Sequence, residues 1–388
     1  MVTPSFLRTT PALFCAALLQ LGTTPALFCA ALLQLGSAHA LQVQPEVVAQ
    51  GLQHPWAVAF LPDGKFLVTE RPGRMRAITP DGTLGAPIQG LPAIAVGGQG
   101  GLLDVVLDSD FARNRTLYFC FAEPGLNGSN STALAKAQLS PDEKQLENVQ
   151  TIFSQQPKKA SQLHFGCRIV ERPDGTLLLT LGERSFFKEE AQNLQSHLGK
   201  IVRIHKDGSV PPDNPFVGRS DALPEIWSYG HRSPQGAALA PDGSFWMNEH
   251  GPQGGDEINR PEPGKNYGWP VITYGENYGG GKIGAGITHR EGMEQPAHQW
   301  TPSIAVSGMA FITSDRYPGW KGQMVVGALR AKRLERITLD GDKVVKTEHL
   351  LPNLGQRVRD VRQGPDGWLY VLTDESKGQL LRLRTPAP

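Results

Sequence analysis

The stretch Trp56–Glu70 reads WAVAFLPDGKFLVTE: an apolar strand, a Pro-Asp-Gly turn, a second apolar strand and a closing acid. Proline pre-sets φ, Asp bonds the backbone two residues on, and Gly accepts the positive φ of a tight turn, so this is a β-hairpin. The phrase returns at Leu102–Glu123 (LLDVVLDSDFARNRTLYFCFAE), Cys167–Glu183 (CRIVERPDGTLLLTLGE) and Gly236–Glu249 (GAALAPDGSFWMNE). It returns again at Gly308–Leu329 (GMAFITSDRYPGWKGQMVVGAL) and Arg359–Glu375 (RDVRQGPDGWLYVLTDE). Shorter phrases at Met75–Gly82, Val202–Gly208 and Glu335–Gly341 read as outer hairpins of the same units. Spacings of roughly fifty to seventy residues per four strands predict an all-β fold, a six-bladed β-propeller. A β-sandwich array is the competing architecture, but no linker divides the chain.

Composition agrees. Among 388 residues, Gly 44 and Pro 31 are spread among β-forming residues, as many short strands and tight turns require. The formal net charge is only +1, so nothing points to nucleic acid or an anionic membrane. Residues 1–40 read as a signal peptide: Arg8, an apolar region, then Ser37-Ala38-His39-Ala40 before Leu41. Inside it TTPALFCAALLQLG occurs twice, at Thr9–Gly22 and Thr23–Gly36. Gln20, Gly22 and Pro25 break the apolar run, and an uncleaved anchor is the competing reading. Residues 41–388 are then one propeller domain, in the periplasm or secreted. Export allows a Cys120–Cys167 disulfide across neighbouring strands; two separately buried thiols are the alternative.

A propeller brings the corners beside its inner hairpins to one face, where distant residues share a site. Gln99 stands amid four glycines ahead of the second hairpin, and His164 ahead of the third. Arg232 precedes the fourth, which leaves through His-Gly-Pro-Gln-Gly-Gly. There Gly251 and Pro252 leave carbonyls uncovered beside the acidic pair Asp256-Glu257, the oxygen chemistry that Ca²⁺ prefers. The fifth hairpin is flanked by Ser303–Gly308 and Arg330, and the sixth is preceded by Arg357 and Arg359. Several guanidiniums at one face would bind a polyanion, because each pairs bidentately with carboxylate or phosphate.

The motifs GQGGLLDV, HFGCR, GHRSPQG, EHGPQGGDEIN, NYGWP, SIAVSGMAF, GALR and RVRDV, in this order, resemble the glucose/sorbosone dehydrogenase family. The similarity runs from about Gly51 to Arg384 and is closest to the aldose sugar dehydrogenase branch of these soluble quinoproteins. It implies a six-bladed propeller with noncovalent pyrroloquinoline quinone (PQQ) on its axis and bound Ca²⁺. By the same resemblance His164 is the general base, and Gln99, Arg232, Arg330, Arg357 and Arg359 contact PQQ, with Tyr278, Ser307 and Gly308 beside them. The carbonyls of Gly251 and Pro252 hold the Ca²⁺ that touches PQQ, and Glu257 with the Tyr267 region matches a second Ca²⁺ site. Two positions depart from the pattern. Ser233 replaces the usual Asn at a cofactor contact, and Leu163 replaces the Asp that precedes the base in glucose-specific members.

The reaction expected is oxidation of an aldose at C1. His164 takes the C1 hydroxyl proton as hydride passes to PQQ, Arg232 stabilises the developing negative charge, and an aldonolactone leaves. An external acceptor, whether quinone, dye or cytochrome, then takes the electrons, and the chain acts as monomer or homodimer. Two other functions compete: a Ca²⁺-dependent propeller lactonase, and a non-catalytic propeller that binds carbohydrate or protein.

Overall fold

Each Pro-Asp-Gly turn closes as its residues dictate. In the first, Leu61 N–H bonds the Lys65 carbonyl (2.9 Å), Gly64 takes φ +85° and Asp63 Oδ1 accepts from Lys65 N–H (3.2 Å). Asp174, Asp242 and Asp366 accept in the same way from residues 176, 244 and 368. The computed structural model of the chain describes residues 42–386. Residues 1–40, expected from sequence to be a signal peptide, therefore lie outside the described residues with their duplicated stretch.

Strand β1 (Gln44–Leu52) precedes a first blade of β2 (Pro55–Phe60), β3 (Phe66–Glu70), β4 (Arg74–Ile78) and β5 (Leu84–Pro87). The second comprises β6 (Leu102–Leu107), β7 (Thr116–Pro124), β8 (Asn130–Leu139) and β9 (Leu146–Ser154). The third comprises β10 (Gly166–Glu171), β11 (Thr176–Leu181), β12 (Lys200–His205) and β13 (Ile226–Tyr229). The fourth comprises β14 (Pro234–Leu239), β15 (Phe245–Glu249), β16 (Asp256–Asn259) and β17 (His298–Trp300). The fifth comprises β18 (Val306–Phe311), β19 (Met324–Ala328), β20 (Arg333–Asp340) and β21 (Lys343–Leu350). The sixth holds β22 (Val358–Gln363), β23 (Leu369–Thr373) and β24 (Gly378–Arg384), and β1 is its outer strand.

These six antiparallel four-stranded sheets make the expected six-bladed β-propeller. One feature was not legible in the hairpin pattern: β1 pairs with β24 from Gln44↔Arg384 to Leu52↔Gly378, so the two ends of the described chain meet in one sheet. Such closure covers a strand edge that would otherwise offer unpaired backbone groups.

The second strand of a blade lies between neighbouring sheets, so both of its faces are covered. Every residue of β3, β11, β15, β19 and β23 is buried, and apolar runs such as TLLLTL replace alternation there. The largest apolar cluster fills the space between the first three blades, with Leu67, Leu102, Phe119 and Leu179 among its members. Cys120 on β7 and Cys167 on β10 form a disulfide with Cα atoms 5.8 Å apart. It joins two blades rather than two strands of one sheet.

The hub is closed by charge. Arg168 of β10, 2% exposed, places Nη1 2.8 Å from Asp360 and 3.5 Å from Asp104. Arg362 pairs with the same two carboxylates. Arg168 also donates to the backbone carbonyls of Gln235 (2.5 Å) and Arg359 (3.3 Å). Inner strands of four blades are thereby tied across the axis.

Candidate active site

At one end of the axis the inner strands begin, and the corners ahead of them surround a basin of about 680 Å³, its open mouth included. Gln99, Arg357 and Arg359 line it as the sequence suggested, and Trp56, Arg71, Gln235, His250 and Asp374 line it as well.

His164 borders the basin through Phe165 and Gly166, and its imidazole is buried. Nδ1 lies 2.7 Å from Glu183 Oε2, while the His164 N–H donates to Gln99 Oε1 at 2.8 Å. A carboxylate on Nδ1 fixes the tautomer in which Nδ1 carries the proton and the Nε2 lone pair is free to accept one. The backbone here is unusual: His164 has φ +49° and Cys167 φ +85°. Gly182 passes directly behind, where an added Cβ would come within 2.0 Å of the His164 carbonyl oxygen.

Arg357 and Arg359 flank Asp374. Arg359 Nη2 is 2.7 Å from Asp374 Oδ2, Arg357 Nη2 is 4.0 Å away, and His54 Nδ1 lies 2.9 Å from Oδ1. Burial alone would raise the Asp374 carboxyl, but Arg359 and its hydrogen bonds hold it well below the ordinary range. Asp374 is therefore an anion set among cations. Arg359 Nη1 also donates to Gln235 Oε1 at 3.0 Å.

A narrow, nearly filled cleft shares His250 with the basin and gathers Arg232, Glu249, Gly251, Glu257, Tyr267 and Trp269. Arg232 N–H donates to Glu249 Oε2 (2.5 Å), and Arg232 Nη1 donates to the carbonyls of Gly251 (2.7 Å) and His250 (3.1 Å). Its guanidinium stands 5.2 Å from the Trp269 ring centre. Glu257 faces Glu249 across the β15–β16 pair. Burial first, then the Glu249 charge and that of Asp256, push the Glu257 carboxyl up to about 8. Tyr267 stacks on His231 at 5.0 Å, and its hydroxyl donates to the Arg260 carbonyl at 2.8 Å.

The acidic pair divides its labour. Asp256 accepts from Gly251 N–H, Ser303 Oγ, Ala305 N–H and Val306 N–H, pinning the Gly251 loop to blade 5. Only Glu257 of the two lines the cleft, because successive strand residues point to opposite faces. Among the described residues no group of three or more His, Cys, Asp or Glu side chains gathers around a common point. A cation here would depend largely on backbone carbonyls.

Other expected site residues lie elsewhere. Tyr278 is 74% exposed on the glycine-rich loop, and Arg330 is exposed beyond Leu329; neither lines the basin. Ser307 is buried, with its hydroxyl donating to the Val358 carbonyl at 2.8 Å. Gly308 is glycine for packing: an added Cβ would come 2.4 Å from Asp360 Oδ1. Ser233 is fully buried, and its hydroxyl accepts from Gln235 Nε2 at 3.2 Å. Gln235, two residues on, lines the basin where shorter Ser233 does not. The residues missed from sequence include Glu183, Glu249 and Asp374. A signal existed for the first two, since both are the closing acids of repeated hairpins.

Comparison with known proteins accords with this geometry. Residues 52–382 match the Glucose / Sorbosone dehydrogenase family. Aldose sugar dehydrogenase YliI of Escherichia coli (strain K12) is 47% identical over 344 residues, covering 88% of this chain and 92% of that protein. The apo-form crystal structure of soluble aldose sugar dehydrogenase from Escherichia coli superposes with a TM-score of 0.86 at 46% identity, covering 89% of this chain and 100% of that one. The PQQ-bound form of aldose sugar dehydrogenase from Streptomyces coelicolor gives 0.73 at 28% identity, covering 89% and 99%. With the family match spanning nearly the whole propeller, this chain belongs to the glucose/sorbosone dehydrogenase family and is an oxidoreductase.

Proposed function

We propose that the protein oxidises aldose sugars at C1 to aldonolactones, using PQQ and Ca²⁺, with His164 as general base and an external electron acceptor. The observation that carries this reading is the His164–Glu183 pair at 2.7 Å, set at the edge of a basin lined by arginines. The site's chemistry fits the cofactor. Arg359 Nε and Arg232 Nε are buried with no partner among the described residues, donors that an anionic ligand would satisfy. The PQQ-bound relative supports the choice of ligand.

When bound, PQQ supplies a two-electron acceptor and Ca²⁺ a Lewis acid, so the protein's task is binding, orientation and proton handling. Arg357 and Arg359 would hold the cofactor's carboxylates. The Gly251 and Pro252 carbonyls would hold one Ca²⁺, and Glu257 with the Tyr267 region a second. Because the Gly251 carbonyl accepts from Arg232 Nη1 at 2.7 Å, a cation there would turn that guanidinium away from the carbonyl. Freed, Arg232 would stabilise negative charge developing on the cofactor. Gln99, which accepts from His164 N–H, would contact the cofactor, and His164 Nε2 would take the C1 hydroxyl proton while Glu183 stabilises the imidazolium. Leu163 in place of an acid favours a broad range of aldoses. A cleavable signal peptide at residues 1–40 would put this activity in the periplasm or outside the cell.

The test is reconstitution. Aldose-dependent dye reduction should need both PQQ and Ca²⁺. His164→Asn should still bind PQQ while kcat falls by about 10²–10⁴-fold. An unchanged kcat would remove His164 from this role. Lactone hydrolysis without PQQ, or inertness in both assays, would overturn the redox assignment.

A further inference from the structure

We propose that Arg71 is a third arm of the anion cradle, contacting a carboxylate of bound PQQ together with Arg357 and Arg359; the inference rests on the cofactor reading above. Arg71 follows β3 in blade 1, next to blade 6, and lines the same basin as Arg357, Arg359 and Asp374. Its backbone is pinned on both sides. Arg71 N–H donates to the His54 carbonyl (3.0 Å) and its own carbonyl accepts from Leu102 N–H (3.2 Å). Gly101 runs so close that an added Cβ would come 1.8 Å from that carbonyl oxygen. The side chain is aimed as well, because Nη1 donates to the Gly98 carbonyl beside Gln99. The remaining guanidinium nitrogens of Arg71 bond nothing among the described residues.

Charge balance points the same way. Three guanidiniums converge on the basin, and the carboxylate among them, Asp374, is already engaged by Arg359 and His54. Burial lowers the Arg71 pKa, Asp374 opposes that shift, and repulsion from Arg359 and Arg357 adds to it, so these groups act on one another. Positive charges held together in partial burial need anions, and a guanidinium fork matches a carboxylate better than any other common anion except phosphate. A ligand with three carboxylates offers one to each arm.

The experiment titrates cofactor-free protein with PQQ in the presence of Ca²⁺, following tryptophan fluorescence, since Trp56 lines the basin. Arg71→Gln should raise Kd about tenfold or more at low salt, and Arg71→Lys should recover part of the loss. The gap should shrink at high salt. PQQ trimethyl ester, which carries no carboxylate charge, should bind wild type and Arg71→Gln alike. Two results overturn the proposal: a wild-type Kd for Arg71→Gln, or equal weakening for acid and ester, which would mean that only the Gly98 turn had been disturbed. Wild-type protein that takes up no PQQ would instead sink the cofactor reading itself.

Discussion

Blades 3 and 4 close their second strands with the same residue and use it differently. In blade 4, Glu249 Oε2 accepts the N–H of Arg232, just ahead of the inner strand, at 2.5 Å. Blades 1 and 6 repeat this device: Glu70 Oε1 accepts from Gln53 N–H (2.6 Å) and Glu375 Oε1 from Arg357 N–H (3.0 Å). In blade 3, Glu183 Oε2 meets the His164 imidazole instead, and Oε1 is buried without a partner among the described residues. The backbone makes the difference. With φ +49° at His164, its N–H turns to Gln99 Oε1, and the carboxylate is left for the ring. A position that caps the chain in blades 1, 4 and 6 thus becomes, in blade 3, a group that orients an imidazole.

The largest expected break in this comparison comes from Glu183→Gln. It should lower kcat by about 10²-fold, leave Tm nearly unchanged and shift the acidic limb of the pH–rate profile. Loss of Tm with intact kcat would make Glu183 another cap. Glu249→Gln should do the reverse, costing about 1–3 kcal/mol in stability, because Arg232 N–H, His231 and Asn259 all bond this buried carboxylate. Denaturant unfolding of cofactor-free protein reads this directly, and an unchanged midpoint would show that the cap is dispensable.

A pH effect sharpens the blade 4 side. The folded Glu257 carboxyl is raised from 4.5 to about 8, so the folded state holds a proton that the unfolded state has lost between those values. Stability should therefore fall as pH rises from about 4.5 to about 8. Glu257→Gln should flatten that slope, and Ca²⁺, if it binds here, should reverse it by favouring the ionised form. A slope identical in the variant would assign the effect to other groups. The smallest expected effect is at Glu375, whose cap reaches a half-exposed corner: Glu375→Gln should cost about 0.5–1 kcal/mol and leave kcat alone.

Much of the site was legible because the hairpin phrase fixes where each corner lies, and corners of a propeller converge. Gln99, Arg357 and Arg359 reach the basin for that reason, and His164 its edge. Arg232, Gly251, Glu257 and Tyr267 reach the adjoining cleft. Tyr278 and Arg330 were placed by their neighbourhood in the sequence, which says nothing of side-chain direction. Ser307 and Gly308 occupy a corner too, but β18 packs there against β22, and contact between blades claims both residues.

The sequence by itself determined the repeat, the turns and the six-blade count, because Pro-Asp-Gly chemistry and short apolar runs act over a few residues. It also held the chemical inventory: one imidazole, several guanidiniums and a carbonyl-rich loop. Only the tertiary structure decided which pieces meet. Arg71 joins Arg357 and Arg359 across nearly the whole length of the chain, β1 completes the last blade, and Asp374 stands among cations that local sequence cannot associate with it. Those encounters depend on how sheets rotate about a common axis and on which left-handed backbone turns redirect a hydrogen bond. Neither property belongs to any short stretch of residues.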